Sequence, residues 1–329
     1  VLWTERYRPG TFAEIIGQER ATTFLCSFAE QGSLPHLLIT GPSGSGRMSA
    51  VRCLAQALYG DHADENTTVI ASGDLFGEGR GYLESDERFA HLYHKDESLL
   101  ANVKRIVRTY ASIRPFDAEF KLMVFLEADA LPGEMQQALR RTMERYSRTC
   151  RFIFVTSRPS GILPPIASRC LPVIFRPLST ECIVLHLQEI LASEGAAPMD
   201  EDDLAMIAAA SRGDLRRAIM LLELAVRSGA PLALDAYERT GSERTASEIL
   251  GAARDGDLAE AQRLAESVMI DGGLSGRELL YELRKVIRRE FNDPRIAVAL
   301  AETDARLSQG TGDFVQVGAL LSELTEACR

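Results

Sequence analysis

The chain has 329 residues, 46% of them apolar, and a formal net charge of −10, enough for two or three domains with buried cores. An acidic chain is not drawn as a whole to nucleic acid, so any DNA contact has to come from a local basic face. No apolar run is long enough to span a membrane, no charged-then-apolar leader opens the sequence, and the 6 cysteines form no CxxC pair that would hold zinc, so the chain reads as cytoplasmic and reducing.

In chain order, Leu37-Leu38-Ile39-Thr40 is a buried-strand run that ends in a glycine-rich turn, and a helix from Met48 to Tyr59 follows. Thr68-Val69-Ile70 begins a second strand. The chain then turns glycine-rich and acidic, with Gly73, Asp74, Gly77, Gly79 and Gly81, which reads as a surface insertion over about 73–98. Leu75-Phe76 inside it either docks on a partner groove or packs onto its own domain. A helix over Leu99 to Ile113, a strand over Leu122 to Leu126, a helix over Gly133 to Tyr146 and a strand over Phe152 to Thr156 complete the first half. Strands alternating with helices predict an α/β fold, a parallel sheet covered on both faces.

From Pro177 onward the strand signals stop. Ser179 is the predicted N-cap of a helix reaching Ser193, and helices over Asp200 to Ala210 and Asp214 to Arg227 follow. After a break at Gly229-Ala230-Pro231 the pattern is helical throughout: about Glu243 to Asp255, Leu258 to Met269, Gly276 to Phe291, Pro294 to Leu307 and Phe314 to Cys328. The expected domains are 1–175, with the insertion, then a small helical domain 176–233 and a helical C-terminal domain 234–329.

Gly41-Pro42-Ser43-Gly44-Ser45-Gly46-Arg47-Met48 follows a strand and opens a helix, the outline of a loop whose backbone N–H groups cradle a phosphate. A working loop has lysine and a hydroxyl at its last two positions, the lysine reaching the β/γ-phosphates and the hydroxyl ligating Mg²⁺. Arg47 keeps the charge in a planar fork, and Met48 cannot ligate a hard cation. The alternative is an ordinary glycine-rich strand–helix turn. The run Val124-Phe125-Leu126-Glu127 decides between them. Such proteins carry Asp-Glu at the end of this strand, the first supporting the metal and the second orienting the attacking water; here the first is Leu126 and the second survives as Glu127. Two independent metal-supporting positions are apolar, so Mg²⁺ is not expected to bind well and hydrolysis is expected to be lost.

Further motifs appear in order. Trp3-Thr4-Glu5-Arg6-Tyr7-Arg8-Pro9 with Ile16-Gly17-Gln18, then Gln137-Ala138-Leu139-Arg140-Arg141-Thr142-Met143-Glu144, Ser168-Arg169-Cys170 and Gly213-Asp214-Leu215-Arg216-Arg217, resemble the motifs of replication factor C clamp-loader subunits, members of the AAA+ family. The resemblance covers nearly the whole chain, fits a small subunit best, and among these is similar to the divergent second small subunit of some archaeal loaders. It implies an AAA+ RecA-like parallel-sheet domain, a small helical lid domain and a helical C-terminal collar. It also implies partners: other small and large loader subunits, a PCNA-type sliding clamp and primer–template DNA.

By the same resemblance, Tyr7, Arg8, Pro9, Ile16, Gly17, Gly41, Ser43, Gly44, Ser45, Gly46, Arg47, Met48, Ser157 and Arg216 surround a nucleotide, ATP or ADP. Ser157 stands where the family has an asparagine that contacts the γ-phosphate. Arg169 is implied to reach across the subunit boundary to a neighbour's ATP; the alternative is a loop arginine paired with a carboxylate. Arg216 is either a contact to this chain's own nucleotide or a surface charge at a helix start. Between Glu134 and Arg158 six arginines face only two glutamates. Arg140, Arg141 and Arg145, with Arg80 and Arg114, are the candidate contacts to DNA backbone phosphates, although cations at a helix C-terminus also complement its dipole. A hydrolysis-deficient clamp-loader subunit is the favoured reading. A self-sufficient ATPase with an altered metal site, and a binding-only scaffold of another AAA+ assembly, compete with it.

Overall fold

Five short strands form one parallel sheet: β1 (Leu37–Thr40), β2 (Thr67–Ala71), β3 (Lys121–Leu126), β4 (Cys150–Thr156) and β5 (Leu171–Ile174), in the spatial order β2-β3-β4-β1-β5. The structure is a computed structural model, and it describes residues 2–77, 79–228, 241–270, 274–290, 294–308 and 312–327. Parallel neighbours need long crossovers, and the helices between the strands supply them.

Alternate residues of each strand feed two separate cores. On one face Leu37, Ile39, Leu122, Val124, Ile153 and Val155 pack with Leu25 of α2 (Glu19–Gln31) and Val51 and Leu54 of α3 (Arg47–Tyr59), the helix α1 (Trp3–Arg6) preceding both. On the other face lie Leu38, Ile70, Met123, Phe125, Phe152 and Phe154. Phe125 and Phe154, partners across β3 and β4, stack there with ring centroids 5.4 Å apart. A sheet enclosed on both sides accounts for the near-continuous apolar runs read from the sequence. β5 was not foreseen. It is a four-residue edge strand containing Pro172, a residue that lacks a ladder donor and is tolerated at an edge.

The segment after β2 corrects an expectation. It is not a surface insertion but three short helices, α4 (Ser72–Gly77), α5 (Arg80–Ser85) and α6 (Glu87–Ala90), which bury Leu75, Leu83 and Phe89 in the second core. Leu75 is 1% exposed and has no surface to offer a partner; Phe76 packs on the same core. The exit from this cap is pinned by Asn102 on α7 (Leu99–Ser112). Its Nδ2 donates to the carbonyls of His94 (2.9 Å) and Ser98 (3.2 Å), and its Oδ1 accepts the His94 N–H (2.8 Å).

α8 (Gly133–Arg145) and α9 (Pro164–Ala167) complete the sheet domain's cover. Beyond β5 come α10 (Thr180–Glu194), α11 (Glu201–Ser211) and α12 (Leu215–Ser228), packed on one another through Ile183, Leu187, Leu204, Ile207 and Leu222. Ser179 caps α10 as expected, accepting the Cys182 N–H at 3.3 Å. The start of the chain is tied to α12: the N–H of buried Trp3 donates to Glu223 Oε2 at 2.9 Å.

The chain divides into two compact units, Val1–Ala230 and Pro231–Arg329. The second holds α13 (Gly241–Arg254), α14 (Leu258–Ile270), α15 (Gly276–Glu290), α16 (Pro294–Ser308) and α17 (Asp313–Ala327) around Ile249, Leu279, Leu283, Leu320 and Leu321. The expected break at Gly229-Ala230-Pro231 and the boundary at 233 lie outside the described residues. No described helix is long and apolar enough to cross a membrane.

Candidate nucleotide-binding site

The loop between β1 and α3 is held from behind. The carbonyl of Thr40 accepts the Phe175 N–H at 2.7 Å, and a Cβ on Gly41 would stand 2.5 Å from the Phe175 carbonyl oxygen, so only glycine passes there. Ser45 Oγ donates to the Pro42 carbonyl (2.8 Å) and closes the turn. Gly44 and Gly46 have φ of +65° and +92°, left-handed values that favour glycine. α3 starts at Arg47, leaving its first N–H groups without helical acceptors.

This loop opens on a cavity of about 410 Å³. Ser43, Gly44, Ser45, Gly46, Arg47 and Met48 form one wall. Tyr7, Arg8, Pro9 and Ile16 come from the start of the chain, Leu126 and Glu127 from the end of β3, Ser157 from the end of β4, and Arg216 from α12. Residues far apart in sequence thus meet at the C-terminal ends of the strands, where open α/β sheets bind ligands. Gly17 and Gly41 do not line the cavity; a Cβ on Gly17 would fall 2.6 Å from Leu178 Cδ2, and Leu178 does line it.

The loop and α12 are locked together. Leu215 N–H donates to the Gly44 carbonyl at 3.3 Å. Asp214 Oδ1 accepts the Arg217 N–H at 3.0 Å, capping α12, and sits 1.8 Å from where a Gly44 Cβ would be. Arg216 therefore owes its place in the cavity wall to the loop glycine. Among the described residues neither the Arg47 nor the Arg216 side chain makes a hydrogen bond or an ion pair. Burial pulls the Arg47 guanidinium below its ordinary pKa; nearby Asp129 acts the other way, and Arg216 adds to the lowering.

Among the described residues the Glu127 carboxylate accepts no hydrogen bond and forms no ion pair. Glu127 adopts φ 49° and its Oε2 lies against Gly73, 1.9 Å from a hypothetical Cβ. Asp129, which sequence reasoning passed over, also lines the cavity. Its Oδ1 accepts the Thr156 hydroxyl and its Oδ2 the Arg158 guanidinium (2.8 Å). Burial alone would raise its pKa, but those two donors outweigh burial and hold the carboxyl below the usual range. The signal for it was an acid two residues beyond Glu127, in the same short run.

Mg²⁺ wants about six hard oxygen donors. Met48 offers a thioether and Leu126 nothing, and Asp129 is held by Thr156 and Arg158. Among the described residues no group of three or more His, Cys, Asp or Glu could hold a metal. The residues present do not fit the ion.

Arg169 lies outside this cavity, at the exit of α9. Its Nε and Nη2 both donate to Glu144 Oε1 (2.9 and 2.6 Å), and its Nη1 to the Pro165 carbonyl (2.9 Å). Arg140 Nε stands 3.6 Å from the same Glu144 oxygen. The Arg169 hydrogen bonds, first among the causes, hold the Glu144 carboxyl below its ordinary pKa.

The arginine-rich stretch is not one face. Arg140 and Arg141 line a second groove with Lys104 and Arg108. Arg145 lies over the Tyr146 ring (5.5 Å). Arg80 opens α5 and Arg114 follows α7; both are exposed and line neither cavity. Arg151 donates to the Leu34 carbonyl and covers Phe120, and Arg158 serves Asp129, so two of the six arginines do structural work.

The sequence matches two family models, "DNA polymerase III, delta subunit" over residues 17–179 and "Replication factor C C-terminal domain" over 242–323. Proteins named replication factor C small subunit are similar along their full length. The one from Picrophilus torridus is 34% identical over 98% of this chain and 97% of its own, and the one from Thermoplasma volcanium 33% over 99% and 97%. One from Methanococcus maripaludis is 33% identical over 98% of both. Among solved structures, a RuvB variant from Thermotoga maritima covers 74% of this chain and 80% of its own, with a TM-score of 0.52 at 17% identity. The RuvB branch migration motor of that organism covers 93% and 86%, with 0.50 at 18%. Those two likenesses concern the fold.

Proposed function

The chain belongs to the replication factor C small-subunit family, and from that premise we propose that it is a ring member of a clamp loader whose own site holds nucleotide without hydrolysing it and whose Arg169 completes a neighbour's site. In this reading it works with other small and large subunits to open a PCNA-type clamp and load it onto primer–template DNA. Residues 1–175 are the nucleotide-binding domain, 176–233 the lid and 234–329 the collar. The observation that carries the proposal is a contrast. Both metal-supporting positions in the cavity, Met48 and Leu126, are apolar, while Arg169 stands outside the cavity on the surface.

Hydrolysis of a phosphoanhydride is mostly positioning plus neutralisation of charge developing on the transferred group. Without a metal, Glu127 can still orient a water, but little in the site offsets that charge. Arg169 can offset it elsewhere. A guanidinium held by Glu144 and the Pro165 carbonyl is oriented yet accessible, and an arginine supplied in trans is worth roughly 10³–10⁵ in rate at the receiving site. Arg140, Arg141 and Arg145, with Arg80 and Arg114, are the proposed contacts to DNA phosphates, where local charge suffices and base readout is not needed.

The test is co-expression with related catalytic subunits. The chain is expected to co-purify with them, and Arg169→Ala to lower the complex's DNA-stimulated ATPase by at least the share of the site it serves. A chain that never joins such a complex, or an Arg169→Ala complex with unchanged turnover, overturns the proposal.

A further inference from the structure

The cavity leaves an unusual residue of charge. Arg47 and Arg216 both line it, one on the helix after the loop and one on α12, and among the described residues neither has a carboxylate within ion-pair distance. Two of the acids near Arg47 are turned to other donors, Asp129 to Thr156 and Arg158 and Asp214 to the Arg217 N–H, and the third, Glu127, forms no ion pair with it. A partly buried guanidinium without a partner carries a desolvation cost that an anion would offset. The loop beside it presents the free N–H groups of a helix start, donors of the kind that hold phosphate.

The chemistry of a divalent cation is missing from the same place. In a complete loop the metal bridges β- and γ-phosphate oxygens and cancels much of their charge. Arg47 keeps the charge a lysine would carry, so no formal charge is gained, but each guanidinium is a fork that can donate two parallel hydrogen bonds to phosphate oxygens. The substitution of lysine by arginine and of a hydroxyl residue by methionine then reads as one change. We infer that this site binds the diphosphate or triphosphate of a nucleotide without a divalent cation, Arg47 and Arg216 holding the phosphates through paired hydrogen bonds. The inference rests on the proposal above that the site keeps a nucleotide it does not turn over, and adds how the charge is met.

The Gly44–Asp214 contact makes the arrangement specific to this chain's geometry. Because the loop backbone touches the start of α12, Arg216 needs no lid movement to stand over the phosphates, as the Leu215–Gly44 hydrogen bond already fixes that distance. A site assembled this way binds whether or not free metal is present.

The probe is a fluorescent ADP analogue titrated onto the full chain, once with excess Mg²⁺ and once with excess EDTA. The expected dissociation constants agree within about twofold, whereas Arg47→Ala and Arg216→Ala each weaken binding about tenfold under both conditions. Arg47→Lys combined with Met48→Thr and Leu126→Asp, which restores metal support, is expected to make binding EDTA-sensitive. Thermal melts of each variant show whether it is folded. Loss of the analogue from the parent chain in EDTA, or no binding under either condition, overturns the inference. Assembly with related subunits, read separately by gel filtration, distinguishes that failure from failure of the ring-member proposal: a chain that assembles but binds only with metal sinks the former alone.

Discussion

Gly44→Ala tests the joint between the phosphate loop and α12. Gly44 sits at φ +65°, where an alanine costs roughly 1–2 kcal/mol. The new Cβ would lie 1.8 Å from Asp214 Oδ1 and 3.0 Å from Asp214 Cα, so Asp214 has to move. Moving it breaks the acceptor of the Arg217 N–H, a helix cap worth about 1 kcal/mol. The sum is about 2–3 kcal/mol, which in a unit of some 230 residues lowers the melting temperature by roughly 5–10 °C. Asp214→Ala removes the cap alone and is expected to cost about 1 kcal/mol. The double variant relieves the overlap, so it is expected to be less destabilised than the two single effects added together. Urea unfolding of all four proteins reads the cycle. Strict additivity, or a Gly44→Ala protein as stable as the parent, would refute the contact, and with it the account of how Arg216 is placed.

Three further outcomes are expected. His36 is neutral in the fold, its Nδ1 accepting the Phe152 N–H at 3.1 Å, and burial, assisted by Arg151, lowers its pKa from 6.5 to about 4. The unfolded chain therefore takes up the proton first, and about 2–3 kcal/mol of stability is lost as pH falls from 6.5 to about 4; a urea midpoint with the same pH slope in His36→Asn would count against this. Asn102→Ala strips buried partners from His94 and Ser98 and is expected to cost about 2–4 kcal/mol, with the loss appearing first as faster amide exchange over residues 91–98. Glu144→Gln removes an acid shared by Arg169 and Arg140, both ion pairs being exposed enough that stability is expected to change little. Its effect belongs in the salt dependence of DNA binding by the complex, whose slope is expected to steepen by up to about one as Arg140 is freed; an unchanged slope would remove Arg140 from the contact.

The strands at the centre of the sheet were legible because burial on both faces leaves no choice of residue, and β3 and β4 read as apolar almost from end to end. β5 was not, because an edge strand of four residues with a proline carries neither alternation nor length. The cap after β2 was misread for a related reason. Leu75, Leu83 and Phe89 sit on three helices of six residues or fewer, too short for a helical period to show, and the glycines that join them suggested an exposed loop. Their burial is decided by a sheet face formed elsewhere in the chain.

The site divides along the same line. Which donors are missing was legible, since Met48 and Leu126 are apolar whatever surrounds them. Which donors are already engaged was not. Counting arginines from Glu134 to Arg158 could not show that Arg158 belongs to Asp129 or Arg151 to Leu34 and Phe120, because a charge's partner depends on the fold, not the spacing. That difference bears on function. Asp129, two residues beyond Glu127, is oriented by Thr156 and Arg158, a placement that no spacing in the sequence shows. Arg47 and Arg216 were named from the sequence as nucleotide contacts; what the sequence does not show is that in the cavity neither side chain has a carboxylate within ion-pair distance. The two guanidiniums facing the cavity and the apolar Met48 and Leu126 therefore suit an anion better than a metal.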